Sequence, residues 1–257
     1  MAERAGASRS LGPEGEKLMD RILRAEPGWQ ELVADALRRS PRPISVDPRF
    51  MPRGATTDSD SSSNPAPAPA TALPRYDRRA MPPARLASTL LLLYPGPGGE
   101  LHLPLTVRNE ALRSHAGEVS LPGGASDPTD PSREATALRE TFEEIGVAPV
   151  DVAVLGTLDD IWIPVTNFEL RPFVGTAASR PLFTPHDDEV ALIVELPVRQ
   201  LLLDNAITDE LVHGPGWTLR VGGYRAEGQL VWGATARTLA MLASVLRSSL
   251  PPAPGQS

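Results

Sequence analysis

The chain has 257 residues, of which 41% are hydrophobic and 28 are proline, and it carries a formal net charge of −7. A chain of this length can bury a full core, and its acidic balance argues against a nucleic-acid-binding surface, which normally presents a basic patch. The absence of cysteine excludes disulfides and thiolate metal sites, and the absence of a membrane-length apolar run or an apolar signal core predicts a cytoplasmic protein.

Two segments precede the main folded domain. Residues 14–39 carry apolar side chains at helical spacing with a break at Pro27, which predicts an amino-terminal helical segment over residues 1–39. Residues 40–80 are rich in proline, serine and alanine, a composition typical of a flexible linker. We therefore expect the main domain to occupy residues 81–250.

The main domain begins with a continuous apolar run. Residues 86–94 predict a buried strand, and after a proline- and glycine-rich turn residues 101–107 predict a returning strand. Three further strands are expected at 150–158, 168–176 and 190–196, and a closing helix at 235–247 with Thr235 as its cap. Strands, a helix and further strands without regular alternation indicate an α+β layered domain.

One helix of this domain is predicted between Asp130 and Gly146. Asp130 offers an N-cap oxygen, Pro131 suits the first turn, and Gly146 suits the left-handed residue that follows a last turn. An apolar stripe is expected from residues at three- and four-residue steps: Ala135, Leu138, Phe142 and Ile145. Thr141 fits neither this stripe nor the polar face.

Three carboxylates stand on one face of this helix. Glu140, Glu143 and Glu144 occupy positions i, i+3 and i+4, which are neighbours on a helical surface. Their mutual repulsion would be offset by a hard divalent cation such as Mg²⁺, which takes oxygen ligands and keeps positions open for water and phosphate. Arg139 lies four residues before Glu143 and can hold that carboxylate. The alternative is a solvated acidic face without a ligand.

The helix and the loop before it resemble the signature of the Nudix hydrolases. Seven residues match that signature: Gly124, Arg139, Glu140, Glu143, Glu144, Gly146 and Val147. Asp130 replaces the first glutamate, one extra residue precedes Arg139, and Thr141 replaces a bulky aliphatic residue. The coenzyme A pyrophosphatase branch of the family resembles this arrangement, and residues 105–127 are similar to the second signature of that branch, although Asn109 and Leu121 depart from it. The resemblance covers about residues 85–247.

The resemblance implies a Nudix-type α/β/α sandwich with a mixed sheet, preceded here by the amino-terminal helix and linker. It implies hydrolysis of the pyrophosphate bond of coenzyme A or acyl-coenzyme A with Mg²⁺ or Mn²⁺, giving 4′-phosphopantetheine and adenosine 3′,5′-bisphosphate. Glu140, Glu143 and Glu144 are then metal ligands and, with Arg139, the catalytic set, and Glu140 is the preferred general base. The backbone of Gly124 is also expected at the metal, because glycine permits the close approach.

A second candidate set consists of Arg108, Arg113 and His115, just upstream of the loop. Guanidinium groups suit phosphate oxygens and histidine can add a donor, and coenzyme A carries a 3′-phosphate that simpler dinucleotides lack. We therefore expect these three residues to bind a small-molecule substrate. The alternative is that the arginines pair with Glu110 and Glu118 and that His115 supports the loop.

Glu189 lies in an acidic turn just before the strand expected at 190–196. Its carboxylate could complete the metal shell, as later acidic residues do in some Nudix enzymes, or it could belong to a solvated turn.

Two other functions of the chain stay open. One is hydrolysis of ADP-ribose, NADH or a nucleoside triphosphate, favoured by Asn109, Leu121 and an insert at 161–167. The other is a binding module, although such modules usually lose the ligand carboxylates that this chain keeps. The oligomeric state is left open.

Overall fold

The computed structural model describes residues 11–54, 77–109, 117–214 and 217–251. These residues form the helices α1 Pro13–Leu23, α2 Trp29–Arg39, α3 Arg133–Ile145 and α4 Gly233–Ser248. Their strands are β1 Arg53–Gly54, β2 Arg85–Pro95, β3 Leu101–Arg108, β4 Val119–Ser120, β5 Gly123–Ala125, β6 Ala153–Thr157, β7 Ile161–Ile163, β8 Phe168–Thr176, β9 Val190–Pro197, β10 Thr208–Gly214, β11 Trp217–Ala226 and β12 Gln229–Val231. Within these ranges, no helix combines the length and the apolar character needed to span a membrane.

The main sheet is mixed and is built around β2. Strand β2 runs parallel to β8, with Leu90 opposite Phe173, and antiparallel to the short strand β5. Strands β6 and β7 pair with β8, whereas β3 carries β4 and β9. Strands β2 and β3 pair only next to their hairpin turn, where Tyr94 faces His102. Beyond that turn the strands diverge, so the two halves of the sheet meet at the end of the hairpin.

Both faces of β2 are buried, which explains its continuous apolar run. Leu91 and Leu93 are 0% exposed and belong to the large hydrophobic cluster that also contains residues of α1, α2 and α4. Leu90, Leu92 and Tyr94 point to the opposite side, where a smaller cluster includes residues of α3. The sheet therefore lies between two helical layers, and the predicted α+β class with a mixed sheet is confirmed.

The amino-terminal helices pack on the same core as the sheet. Ile22 and Val33 are 0% exposed, and Trp29 is nearly so, within the large cluster. The chain continues along the core after α2: Phe50 is 3% exposed and β1 pairs with β11. The flexible linker expected from residue 40 differs from the structure over residues 41–54, because buried apolar side chains hold this proline-rich stretch. Residues 55–76 lie outside the described ranges.

A second sheet, which the sequence patterns did not predict, combines β1 with strands that follow β9. It has the order β1, β11, β10, and β12 also pairs with β11. Arg225 and Glu210 form an ion pair across β11 and β10. Glycine and charged residues are uncommon in strands, so this region gave no strand pattern. At Gly222 a side chain would lie 2.8 Å from the backbone of Arg49, and glycine therefore lets residues 48–50 pack on this sheet.

Candidate active site

Two glycines bring the loop before α3 close to both the sheet and the helix. Gly123 has φ +151°, and a Cβ there would lie 2.4 Å from the carbonyl oxygen of Ser88 on β2. At Gly124 a Cβ would lie 2.5 Å from the carboxylate of Glu140. The absence of side chains at these two positions allows the acidic face of α3 to approach the loop backbone.

Glu144 is the most buried carboxylate of the site. It is 4% exposed, and its Oε2 accepts a hydrogen bond from the Gly123 amide at 3.1 Å. The pKa of Glu144 is raised to about 7, mainly by burial; the Gly123 hydrogen bond and the charge of Arg108 oppose this rise, whereas the charges of Glu140 and Glu189 add to it. Among the described residues this buried carboxylate has one amide donor and acidic neighbours, so its charge is poorly compensated and a cation would stabilise its charged form.

Arg139 joins the other two glutamates of α3. Its Nη1 donates to Glu140 Oε1 and to Glu143 Oε2, each at 2.9 Å. The side chain of Glu143 is 54% exposed, whereas that of Glu140 is 18% exposed. Burial raises the pKa of the Glu140 carboxyl in spite of Arg139, and the charges of Glu143 and Glu189 act in the same direction. Glu140, Glu143 and Glu144 therefore form one electrostatic group with Glu189.

Asp130 holds Arg139 in place. The guanidinium donates to Asp130 through Nε at 2.9 Å and through Nη2 at 3.0 Å, and Thr136 adds a hydroxyl bond at 2.8 Å. The bonds from Arg139 hold the pKa of the Asp130 carboxyl well below its usual range. The prediction that Asp130 caps the helix is wrong: α3 begins at Arg133, and Ser132 Oγ accepts from the Ala135 amide at 3.1 Å. The Asp130 carboxylate instead accepts hydrogen bonds from Arg139, from the Thr136 hydroxyl and from the Asp127 amide.

The buried face of α3 also differs from the predicted apolar stripe. Phe142 is 52% exposed, whereas Ala137 and Thr141 are 0% exposed and face the sheet. The Thr141 hydroxyl donates to the Ala137 carbonyl at 2.7 Å, which satisfies a polar group that would otherwise be costly to bury. Small side chains on this face let α3 lie close to β2 and β5, and this close packing places Glu140 and Glu144 at the glycine loop.

Arg108 ends β3 on the same side of the site. It follows an irregularity in the pairing with β9, is half-buried, and forms no ion pair with any described residue. Its Nε is buried and has no hydrogen-bond partner among the described residues. Arg108 and Glu118 meet through their backbones, where the amide of Arg108 donates to the Glu118 carbonyl at 3.0 Å. Arg113, His115 and Glu110 lie outside the described residues.

Glu189 reaches the site from an exposed turn before β9. Its amide donates to the His186 carbonyl, and its own carbonyl accepts from the Asn109 amide, both at 2.9 Å. The His186 amide donates in turn to the Glu144 carbonyl at the end of α3, also at 2.9 Å. The charge of Glu189 contributes to the raised pKa of both Glu140 and Glu144. The structure thus brings Glu189 within electrostatic reach of the helix carboxylates.

The donor set fits a hard divalent cation, although the side chains are arranged around Arg139. In the described part of the chain, no group of three or more histidine or acidic side chains lies close enough together to bind a metal ion without rearrangement. Because Arg139 pairs with Glu140 and Glu143, binding an ion requires at least one of these carboxylates to exchange the guanidinium for the metal. The donors are all oxygen atoms, two of the carboxyl groups have raised pKa values, and the carboxylate of Glu144 is buried. Binding of Mg²⁺ or Mn²⁺ would stabilise the charged form of these groups.

Comparison with known proteins gives consistent matches. Residues 85–214 match the family model described as the NUDIX domain. The chain is 39% identical over 141 residues to a protein of Pectobacterium atrosepticum named Nudix hydrolase NudL, covering 55% of this chain and 73% of the relative. It is 40% identical over 149 residues to the protein of the same name from Salmonella paratyphi B, covering 58% and 75%. A Nudix hydrolase structure from Alicyclobacillus acidocaldarius aligns with a TM-score of 0.45 and 20% identity, over 68% of this chain and 100% of that one.

Proposed function

The chain belongs to the Nudix hydrolase family, and we propose that it hydrolyses the pyrophosphate bond of coenzyme A or an acyl-coenzyme A with Mg²⁺ or Mn²⁺. The products would be 4′-phosphopantetheine and adenosine 3′,5′-bisphosphate. The observation that carries the proposal is the buried carboxylate of Glu144, held by Gly123 amid acidic neighbours, with Arg108 as the opposing positive charge. The choice of coenzyme A rests on the motif at residues 105–127.

The residues of the chain divide the work of this reaction. A divalent cation, when bound, neutralises phosphate oxygens and lowers the pKa of a coordinated water. Glu140, Glu143, Glu144 and Glu189 would hold the cation, together with the backbone of Gly124. Arg139, fixed by Asp130, keeps Glu140 and Glu143 at the helix surface. Glu140 is the proposed acceptor for the proton of the attacking water, because its carboxylate lies against the Gly124 loop and is less buried than that of Glu144.

Arg108 binds the substrate on the phosphate side. Within the part of the chain that the structure describes, its buried Nε has no hydrogen-bond partner, and a phosphate oxygen is a natural acceptor for a guanidinium donor. The charge of Arg108 reaches Glu144, so a phosphate bound by Arg108 lies beside the carboxylate group. Arg113 and His115 are proposed to extend this contact to the 3′-phosphate of the adenosine half.

A substrate panel tests the proposal. Wild-type protein and the Glu144→Gln variant are assayed with Mg²⁺ on coenzyme A, acetyl-coenzyme A, ADP-ribose, NADH and a nucleoside triphosphate. The proposal predicts the highest kcat/KM on a coenzyme A substrate and loss of most of that turnover in Glu144→Gln. Preference for ADP-ribose, NADH or the triphosphate would refute the coenzyme A assignment, and near-normal turnover of Glu144→Gln would refute the site.

A second measurement tests the phosphate contact. Replacing Arg108 with alanine should raise KM for coenzyme A about ten- to hundredfold, the factor expected for loss of a charge-assisted hydrogen bond. Arg220→Ala on β11 of the second sheet is the matched control, and it should leave KM unchanged. A larger effect on coenzyme A than on dephospho-coenzyme A would place Arg108 at the 3′-phosphate, and equal losses would place it at the shared pyrophosphate. An unchanged KM for both substrates would contradict the contact.

A further inference from the structure

We infer that Asn109 is a positioning residue that holds the acidic turn of residues 186–189 against the end of β3, and so sets the place of Glu189 in the site. The inference rests on the proposed function, because it assigns Glu189 to the cation site. Asn109 is half-buried and directly follows Arg108, the last residue of β3. It is also one of the positions at which this chain departs from the motif at residues 105–127.

Asn109 contacts the acidic turn twice. Its side-chain Nδ2 donates to the Asp187 carbonyl at 3.0 Å, and its backbone amide donates to the Glu189 carbonyl at 2.9 Å. The two acceptors flank Asp188, so the contacts fix the turn on both sides of that residue. Any residue except proline can supply the backbone bond, whereas the side-chain bond requires a donor of suitable length.

The turn is also tied to the helix that carries the other carboxylates. The His186 amide donates to the Glu144 carbonyl at 2.9 Å, and the Thr184 amide donates to the Ile145 carbonyl at 2.9 Å. These bonds satisfy two carbonyls at the end of α3 that lack partners within the helix. The acidic turn therefore connects α3 to β3. On the β3 side, the connection consists of the two hydrogen bonds that Asn109 donates to the turn.

Glu189 depends on this backbone framework. Its side chain is exposed and makes no hydrogen bond to any described residue, so packing does not hold it in one place. Its charge nevertheless acts on Glu140 and Glu144, which requires the turn to stay near α3. Loss of the Asn109 side chain should let the turn move away from the site, and the cation would then lose part of the contribution of Glu189.

A double-mutant cycle on metal binding separates positioning from a general structural role. Mn²⁺ is titrated into metal-free, full-length protein by calorimetry for wild type, Asn109→Ala, Glu189→Gln and the double variant. We expect Asn109→Ala to weaken Mn²⁺ binding about two- to tenfold, the factor that corresponds to one ordinary hydrogen bond. In the Glu189→Gln background the same substitution should have no further effect. Thermal unfolding without metal shows that each variant is folded.

Two results for Asn109→Ala would overturn the inference while leaving the proposed function intact. One is wild-type Mn²⁺ affinity in Asn109→Ala, together with weakened binding in Glu189→Gln. The other is an equal loss from Asn109→Ala in both backgrounds, which would show that Asn109 acts through another part of the chain. Unchanged binding in Glu189→Gln would also refute it, since Glu189 would lie outside the cation site. The proposed function is tested separately, by the substrate panel and by the turnover of Glu144→Gln.

Discussion

Replacing Glu144 with glutamine should change how the stability of the metal-free protein depends on pH. Burial raises the pKa of this carboxyl from 4.5 to about 7 in the folded state. Below about pH 4.5 both the folded and the unfolded chain hold the proton, so this group causes no difference in stability. As the pH rises from 4.5 to 7 only the unfolded chain releases the proton, and the wild-type protein becomes less stable. Glutamine does not titrate, so the variant escapes this loss.

The size of the effect follows from the shift in pKa. A difference of about 2.5 pKa units corresponds to about 3.4 kcal/mol when fully developed, at about 1.36 kcal/mol per unit. Between about pH 5 and pH 8.5 the linkage gives a change of roughly 2–3 kcal/mol in the stability difference between the two proteins. The cost of burying the glutamine amide is the same at both pH values, so it cancels in this comparison.

Urea unfolding in the presence of a chelator measures the effect. The free energy of unfolding of wild type and Glu144→Gln is determined at about pH 5 and pH 8.5, and the variant should gain on wild type at the higher pH. Glu134→Gln, an exposed residue in the first turn of the same helix, controls for removing one negative charge from α3. A stability difference for Glu144→Gln that is the same at both pH values would refute the argument that this carboxylate is buried without adequate compensation.

Three further predictions concern the framework of the site. Ser132→Ala should lower stability by about 1 kcal/mol in thermal or urea unfolding because it removes the cap of α3, whereas Thr235→Ala should not show a cap-sized loss. Gly124→Ala should reduce turnover far more than stability, because the new methyl group displaces the flexible carboxylate of Glu140. Kinetics measures the turnover and circular dichroism the stability, and normal turnover would contradict the prediction. Deletion of residues 1–54 should abolish soluble folding, because it uncovers several fully buried apolar side chains at about 1.5–3 kcal/mol each; a folded, active product would show that the helices are dispensable.

The parts of the fold that the sequence predicted are those with strong hydrophobic patterns. The apolar run at residues 86–94 lies in β2, which is buried on both faces, and Phe168–Thr176 forms a strand with the predicted bounds. Gly146 ends α3 in the left-handed conformation, as its position indicated. The family suggested by the helix motif is confirmed by the match over residues 85–214.

The features that were not predicted depend on contacts between distant residues. Thr141 is polar in sequence, but its hydroxyl bond to Ala137 permits burial, and Phe142 is left exposed on the other side of α3. Asp130 is a residue type that often caps helices, but both of its carboxylate oxygens accept hydrogen bonds from Arg139, nine residues later. Residues 41–54 have the composition of a linker, and only their position against the core shows that Phe50 is buried.

The same limit applies within the candidate site. The spacing of Glu140, Glu143 and Glu144 indicated that they share a helix surface, but it gave no information on how much each is exposed. The structure separates them: Glu144 is buried, Glu140 lies against Gly124, and Glu143 is mostly exposed. The bond between Asn109 and the acidic turn joins residues 78 positions apart, and no local sequence pattern predicts such a pairing.

The central claim is that this chain cleaves the pyrophosphate bond of coenzyme A at a cation site built on Glu144. The most direct measurement is mass spectrometry of the products after coenzyme A is incubated with purified full-length protein, with Mg²⁺ or with a chelator. The account predicts 4′-phosphopantetheine and adenosine 3′,5′-bisphosphate with Mg²⁺, and neither product with the chelator or with Glu144→Gln. Intact coenzyme A in the Mg²⁺ sample, or the same products from Glu144→Gln at the wild-type rate, would contradict it.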